Sequence, residues 1–126
     1  MPPSAPRRTL PPCPKSPNCV STESPDAAHR MEPLPYGDLA EARARLLAVL
    51  AAAPRAKVVT VEESYVHAEF RSALFRFVDD VEFLFDEKAK RLHFRSASRV
   101  GRSDFGVNRK RMEELGREFQ KRAPGR

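Results

Sequence analysis

Alternation of apolar and polar residues in the middle of the chain predicts β-strands. Four segments rich in β-branched or aromatic residues follow one another: Lys57 to Glu63, Tyr65 to Arg71, Phe75 to Phe85 and Arg91 to Ser98. The connections between these segments are too short for crossover helices, so successive strands are expected to pair as hairpins. The pattern therefore predicts a four-stranded antiparallel meander sheet.

Two segments with helical periodicity flank these strands. The first runs from about Asp38 to Ala52, with Asp38 as its N-cap and Pro54 as its stop signal. Its apolar stripe consists of Leu39, Leu46, Leu47 and Leu50. The second helix is predicted from about Phe105 to Arg122. The expected fold class is therefore α+β, with the meander sheet flanked by an N-terminal helix and a C-terminal helix.

The third and fourth strands carry enough pattern to predict their register. Phe75 and Phe77 share the core phase of the third strand with the apolar residues that follow. A loop from Glu87 to Lys90 then pairs Phe85 with Leu92, Phe83 with Phe94, Val81 with Ser96 and Asp79 with Ser98. The same register sets Glu82 opposite Arg95 on the other face, and agreement on both faces supports it over a one-residue slip.

The first 37 residues differ from the rest because they are rich in proline and poor in large apolar side chains. Prolines at this density prevent a long helix or a central strand. Three regions are therefore expected: a disordered Pro-rich tail over residues 1–12, an extended Cys-containing arm packed on the domain over residues 13–37, and a single α+β domain over residues 38–123.

No segment has the composition of a membrane span or a signal peptide. A span needs about 18 apolar residues, and residues 1–20 lack the apolar centre of a signal peptide. The chain as written is therefore expected in the cytoplasm.

Basic residues exceed acidic ones by 23 to 17, which gives a net charge of +6 with neutral histidines. This charge attracts anions without specifying a nucleic acid. The densest basic run, Arg109 to Arg111, lies on the second predicted helix beside Glu113 and Glu114. Interleaved charges of this kind are typical of a solvated helix face, which argues against nucleic acid as the partner.

Motifs in a fixed order along the chain resemble a known family. They are CPKSPNCVST from Cys13, HRMEPLPY from His29, FRFVDDVEF from Phe75 and RSASRVGRSDFGVNRKRMEEL from Arg95. The chain after residue 12 resembles, over nearly its whole length, the bacterial and plastid family known as domain of unknown function 1499. Members of that family often carry an N-terminal membrane or export segment, which these first residues do not show. The family has no agreed activity, so the resemblance implies no catalytic residue.

Cys13 and Cys19 are separated by five residues, two of them prolines. This spacing suits a small disulfide loop in an oxidising compartment. In a reducing compartment the pair would stay as thiols, and His29 would offer a third ligand for zinc, although no fourth ligand is evident. Unligated thiols, a disulfide, and metal or redox chemistry all stay open at the level of sequence.

Asp79 occupies a core-phase position, where an ionised carboxylate must be paired or hydrogen-bonded. The predicted register supplies the Ser98 hydroxyl, and Arg99 lies at the same end of the sheet. A buried network that ties the sheet to the last helix is one interpretation, and a ligand site is the other. Asp80 points the other way and is expected in solvent.

The most polar part of the patterned region lies where the last strand leads into the last helix. The candidate ligand-binding residues there are Asp79, Ser96, Ser98, Arg99, Ser103, Asn108 and Arg109. Backbone N–H groups at a helix N-terminus, with Arg99 and Arg109 beside them, favour an anion such as phosphate. The structural alternative is that Ser103 or Asp104 caps the helix and Gly101 supplies a turn.

Three function classes follow from these features. The first is a non-catalytic binding or interaction module with a small basic site for an anionic or lipid-like ligand. The second is a small hydrolase-like enzyme that uses Asp79 with Ser98, Arg99 or Asn108 in an open pocket. The third is a nucleic-acid-binding module that uses the C-terminal helix. A Gly-rich phosphate loop with lysine, HExxH and G-x-S-x-G are all absent from the sequence, so no cofactor and no metal are expected.

Overall fold

Two α-helices lie on one face of a six-stranded β-sheet in the computed structural model, which describes residues 9–15, 18–71, 77–99 and 106–124. In chain order the elements are β1 (Cys19–Ser21), β2 (Leu34–Pro35), α1 (Leu39–Ala52), β3 (Ala56–Val61), β4 (Tyr65–Arg71), β5 (Val78–Asp86), β6 (Arg91–Ser98) and α2 (Val107–Lys121). The α+β class is thereby confirmed. None of the helices in these ranges combines the length and the apolar character that crossing a bilayer requires.

The sheet has the strand order β1-β6-β5-β4-β3, and β2 also pairs with β6. These strand pairs are all antiparallel. The four predicted strands are present as the meander from β3 to β6, but the predicted count of four is wrong, because β1 and β2 extend the sheet beyond β6. These two strands have 3 and 2 residues, too few for side-chain alternation to reveal them.

The predicted register of β5 and β6 is confirmed on both faces of the sheet. The Cα partners include Asp79 with Ser98, Val81 with Ser96, Phe83 with Phe94, Phe85 with Leu92 and Glu82 with Arg95. Phe77 departs from the prediction, since its side chain is 52% exposed rather than in the core. Phe77 comes directly before Val78, the first residue of β5, and so lies just beyond the paired part of the strand. Phe75 lies outside the described residues.

Helix α1 follows its sequence signals closely. The Asp38 carboxylate accepts a hydrogen bond from the Glu41 backbone N–H at 2.9 Å, which caps the first turn. The side chains that the helix buries are Ala42, Arg45, Leu46, Val49 and Leu50. Leu39 and Leu47 lie at the margin of the core, so the predicted leucine stripe is slightly offset from the buried face.

Helix α2 starts later than its polar flanking residues predicted. Its N-cap is Gly106, with φ of 79°, and its first residue is Val107, two residues after the predicted start at about Phe105. The alternative in which Ser103 or Asp104 caps the helix is wrong, because Gly106 is the cap. A left-handed backbone at this position favours glycine, because a Cβ atom is disfavoured there. The helix buries Asn108, Met112, Leu115, Gly116 and Phe119, which share one face at helical spacing.

The core lies between this helix pair and the inner face of the sheet. Its largest fully buried side chains include Phe83 of β5, Phe94 of β6, Phe119 of α2, and Leu46 and Leu50 of α1. Burying each such side chain contributes about 1.5–3 kcal/mol of transfer free energy. This packing holds the inner face of the sheet against both helices. It thereby also fixes the positions of the polar side chains near the end of β6, which are described below.

Candidate functional site

Buried polar residues near the end of β6 form a hydrogen-bonded network with α2. The Ser96 hydroxyl donates to the Asn108 side-chain carbonyl at 2.5 Å. The Asn108 amide nitrogen donates to the Asn18 backbone carbonyl at 3.2 Å and to the Ser98 hydroxyl at 3.0 Å. The structure therefore brings three predicted site residues together, and it adds Asn18, the residue just before β1.

Asp79 joins this network through an ion pair with Arg111. Its side chain is buried, as the strand phase predicted, and its Oδ2 lies 2.8 Å from a terminal nitrogen of Arg111. The other terminal nitrogen of Arg111 donates to the Asn108 carbonyl at 2.9 Å and to the Ser96 hydroxyl at 3.3 Å. The guanidinium carbon lies 4.8 Å from the centre of the Phe70 ring. Arg111 is therefore held on several sides at once.

Arg99 lies on the opposite face of the sheet from this network. Its guanidinium donates to both carboxylate oxygens of Asp80, at 2.7 and 2.9 Å, and to Glu69 at 2.7 Å. His67 Nε2 lies 2.8 Å from Asp80 Oδ1. Asp79 was expected to bond with Ser98 or Arg99, but its ion-pair partner is Arg111. Neighbouring strand residues face opposite sides, and Arg99 turns to the side of Asp80. Asp80, expected in solvent, is instead the centre of this group.

We define the outer-face cluster as His67, Glu69, Asp80 and Arg99. Hydrogen bonding by Arg99, and to a smaller extent by His67, holds the pKa of Asp80 below its ordinary value of 3.8, against the effect of partial burial. Asp80 first, and then Glu69, raise the pKa of Arg99. These paired charges leave Arg99 with little capacity to hold an additional anion.

Arg109 holds the N-terminal part of the chain against α2. Its guanidinium donates to the Ala28 carbonyl at 2.9 Å and, at 3.4 Å, to the Arg30 carbonyl. Ser103 lies outside the described residues. The predicted site residues are thus divided among three places: Asp79, Ser96, Ser98 and Asn108 in the buried network, Arg99 in the outer-face cluster, and Arg109 on the arm.

A pocket of about 540 Å³ opens beside the Asp79–Arg111 ion pair. It lies between the end of α1, the adjoining ends of β4 and β5, and one side of α2 along the length of the helix. Its apolar wall includes Val49 and Ala53 from α1, Phe70 from β4 and Leu115 from α2. The ion pair closes one side of the pocket, so a molecule inside it would meet both apolar and charged groups.

Basic side chains dominate the rim of this pocket. They are Arg55, Arg71, Lys110 and Arg122, and two acids, Glu114 and Glu118, also line it. Within the described parts of the chain, no salt bridge involves Arg55, Lys110 or Arg122. Arg71 lies 3.9 Å from Glu69, at the edge of ion-pair distance. The rim therefore carries cationic groups that have no salt-bridge partner among the described residues.

The segment that carries the network and most of the pocket matches a family model. That model is described as a protein of unknown function, DUF1499, and it matches residues 9–119. This chain belongs to the DUF1499 family. No curated protein matches the chain. Within this DUF1499 domain the matched range contains the buried network and the pocket residues named above, except Arg122.

A disulfide joins Cys13 and Cys19 in this DUF1499 domain, with a Cα–Cα distance of 5.7 Å. Cys19 is buried at the start of β1, and the Pro12 carbonyl accepts a hydrogen bond from Arg95 at 3.4 Å. Among the described residues, no group of three or more His, Cys, Asp and Glu side chains is placed to hold a metal ion. His29 lies instead 2.5 Å from Asp26. Of the alternatives left open by the sequence, the structure contains the disulfide.

Sequence reasoning missed Arg111 as part of the site. Arg111 was assigned to a solvated basic run, yet its side chain is only 15% exposed. Its spacing of three residues from Asn108 was the available signal, because i and i+3 positions share a helix face. Arg45 was also missed: it is buried, donates to the Phe119 carbonyl at 2.9 Å and stacks 3.8 Å from the Phe119 ring centre.

Proposed function

We propose that this domain is a non-catalytic binding module that holds a small amphiphilic anion in the pocket beside Asp79 and Arg111. The proposal rests on one observation, which is the combination of an apolar wall with a basic rim in a single cavity of about 540 Å³. Cavities of about 300–1,000 Å³ with mostly apolar walls and a few polar groups are the usual form of small-molecule sites.

The arrangement of the pocket supports a ligand with two chemically different ends. An aliphatic or aromatic body would contact Val49, Phe70 and Leu115 and gain free energy from the apolar surface removed from water. An acidic head group would lie near Lys110 and Arg55 at the rim, where part of its hydration is kept. Glu114 and Glu118 reduce the positive charge and favour a singly charged head group over a multiply charged one.

Binding is favoured over catalysis because the reactive side chains already have partners. The Asp79 carboxylate is held by Arg111, and the Ser98 hydroxyl accepts a hydrogen bond from Asn108. A hydrolase would need a nucleophile and a base with free hydrogen-bonding capacity in the cavity. The hydrolase-like alternative also needs Arg99, which lies on the other face of the sheet.

Nucleic-acid binding by α2 has weaker support for a similar reason. Arg109 and Arg111 turn toward the arm and the sheet rather than toward solvent. The basic residues of α2 that remain exposed are separated by Glu113, Glu114 and Glu118. A helix with this charge pattern offers few adjacent contacts for successive phosphates.

A titration with dodecanoate tests the proposed function. Dodecanol lacks the anion and acetate lacks the apolar body, so dodecanoate is expected to bind more tightly than either. Lys110→Gln should weaken dodecanoate binding by about two- to fivefold, the range for one partly exposed charge contact. Isothermal calorimetry below the micellar concentration measures all three affinities.

Two neighbouring alanines at the end of α1 give one variant that blocks the pocket and one matched control. Ala52 lines the pocket and is exposed, whereas Ala51 is exposed and lies outside the pocket lining. Ala52→Trp should obstruct the cavity and abolish dodecanoate binding, and Ala51→Trp should bind as the parent does. Equal affinities for dodecanoate and dodecanol, or unchanged binding by Ala52→Trp, would refute the proposal.

The disulfide carries a second expectation about the compartment. Disulfides persist in oxidising compartments and are rare in reducing cytoplasm. The Cys13–Cys19 bond therefore favours an oxidising compartment over the cytoplasmic location expected from the first residues. Mass spectrometry of the protein isolated from its own cells with trapped thiols distinguishes these locations, because a fully reduced pair would contradict the expectation.

A further inference from the structure

Two of the most exposed large apolar side chains lie at the same end of the molecule. Phe77 is 52% exposed and Val107 is 47% exposed. Phe77 immediately precedes β5, whose first residue Val78 pairs with Arg71 at the end of β4. Val107 is the first residue of α2 and lines the pocket together with Arg71. The end of the meander and the start of α2 therefore both carry an exposed apolar side chain at this end of the molecule.

Three cationic residues, Arg55, Arg71 and Lys110, belong to the same end of the molecule. Arg71 lies at this end because it pairs with Val78, the residue after Phe77. The Arg71 backbone N–H donates to the Arg55 carbonyl at 3.1 Å, which places the turn between α1 and β3 at the same end. Lys110 lies one helical turn after Val107. We define the apical surface as Arg55, Arg71, Phe77, Val107 and Lys110.

The composition of the apical surface decides between partner classes. A nucleic acid would use the cations but gains little from an exposed aliphatic valine among them. Protein interfaces favour arginine and phenylalanine, but they are depleted in lysine, and their fully buried core is depleted in charged residues, whereas three of the five residues here are cationic. Half-exposed apolar side chains among cations are what an anionic bilayer surface accepts, since the apolar groups enter the headgroup region while cations meet lipid phosphates.

We propose that the apical surface docks on an anionic lipid bilayer. Phe77 and Val107 enter the headgroup region, and Arg55, Arg71 and Lys110 contact anionic headgroups. In this orientation the rim of the pocket faces the membrane, because Arg55, Arg71 and Lys110 belong to both. Docking itself needs no ligand in the pocket, so Ala52→Trp is expected to keep membrane binding while it loses dodecanoate.

Co-sedimentation with vesicles tests this docking directly. The full chain is mixed with vesicles of phosphatidylcholine alone and with vesicles in which one lipid in three is phosphatidylglycerol. Binding is expected to the anionic vesicles only and to decrease with added salt, which screens exposed charges. Each of Arg55→Gln and Lys110→Gln should weaken partitioning about fivefold, the effect of one cation near a charged membrane.

Phe77→Ser and Val107→Ser test the apolar contribution, and both should weaken vesicle binding at every salt concentration. Matched controls lie at the other end of the sheet: Val61 is 49% exposed at the end of β3, and Lys88 is exposed in the turn after β5. Val61→Ser and Lys88→Gln should bind anionic vesicles as the parent does.

Three results would overturn the docking proposal. They are equal binding to phosphatidylcholine vesicles, equal losses in the control variants, and retention of binding by the double variant Arg55→Gln, Lys110→Gln. Preference for a single-stranded oligonucleotide over anionic vesicles at the same salt concentration would likewise contradict it. Because both glutamine substitutions are at exposed positions, the test does not depend on a variant that disturbs the core.

Discussion

The ion pair between Asp79 and Arg111 is the residue-scale feature on which the shape of the pocket depends. Both side chains are mostly buried, at 11% and 15% exposure. Removing one partner of a buried pair leaves the other charge uncompensated, which typically costs about 3–5 kcal/mol. The pair is therefore expected to be far more sensitive to single substitutions than to a double one.

Asp79→Leu should lower the free energy of unfolding by about 3 kcal/mol, because it leaves the Arg111 guanidinium buried without its anion. Arg111→Met should have a similar effect, because it leaves the Asp79 carboxylate buried without its cation. The double variant Asp79→Leu, Arg111→Met should recover much of that loss, since no unpaired charge remains. Urea denaturation of the four proteins gives the coupling energy. Single variants as stable as the parent would show that the pair is not structural.

Asp80 makes the outer-face cluster dependent on pH. Because its pKa is lower in the folded state than the ordinary 3.8, its ion pairs stabilise the fold above that value, and the contribution is lost as pH falls through the folded pKa. Asp80→Asn should therefore reduce stability near neutral pH and make little difference in strong acid.

Denaturant unfolding of parent and Asp80→Asn between about pH 7 and about pH 2.5 measures this dependence. Arg99→Gln should reproduce the effect, because it removes the main cause of the lowered pKa of Asp80. Glu87→Gln, in the exposed turn after β5, is the control. A difference between parent and Asp80→Asn that stays constant across this range would contradict the expected role of the cluster.

At the scale of elements, the strands with a long side-chain pattern were predictable and the short ones were not. The β5–β6 register was set by apolar matching on one face and by Glu82 opposite Arg95 on the other, and a one-residue slip would have broken both. Strands β1 and β2 are formed by pairing with β6 rather than by any periodicity of their own. Their positions depend on tertiary contacts that a local pattern does not contain.

The candidate site was predictable only in part for a related reason. The strand phase correctly predicted that Asp79 is buried. The polar residues Ser96, Ser98 and Asn108 were predicted to belong to one site, and they are joined by hydrogen bonds. The partner Arg111 depends on how α2 is rotated over the sheet, which helical spacing alone leaves undetermined. The pocket is formed by four separate elements, α1, β4, β5 and α2, so no single motif could have indicated it.

The start of α2 depends on the backbone conformation of Gly106. Its φ of 79° is left-handed, and a Cβ built there would contact no atom within 4 Å. Gly106→Ala should therefore destabilise through backbone strain alone, by about 1 kcal/mol. Gly106→Asn should be milder, because asparagine tolerates this region better. Thermal unfolding compares the variants, and an alanine variant as stable as the parent would refute the strain argument.

At the scale of the whole molecule, the two faces of the sheet have separate roles. The inner face holds the core, the buried network and the pocket, whereas the outer face carries the outer-face cluster. The N-terminal arm is attached to β6 through β1 and β2 and to α2 through Arg109. We therefore expect the arm, residues 13–37, to fold together with the domain of residues 38–123, and the division from the tail of residues 1–12 stays a prediction.

The proposed function depends on the pocket being a binding site. NMR spectra of the 15N-labelled protein titrated with dodecanoate locate the bound molecule, because each backbone amide reports its own surroundings. Binding in the pocket predicts saturable shifts concentrated at Ala53, Phe70, Lys110 and Leu115, with His67 and Lys88 unchanged. Shifts spread evenly over the protein, or concentrated on the outer-face cluster, would contradict it.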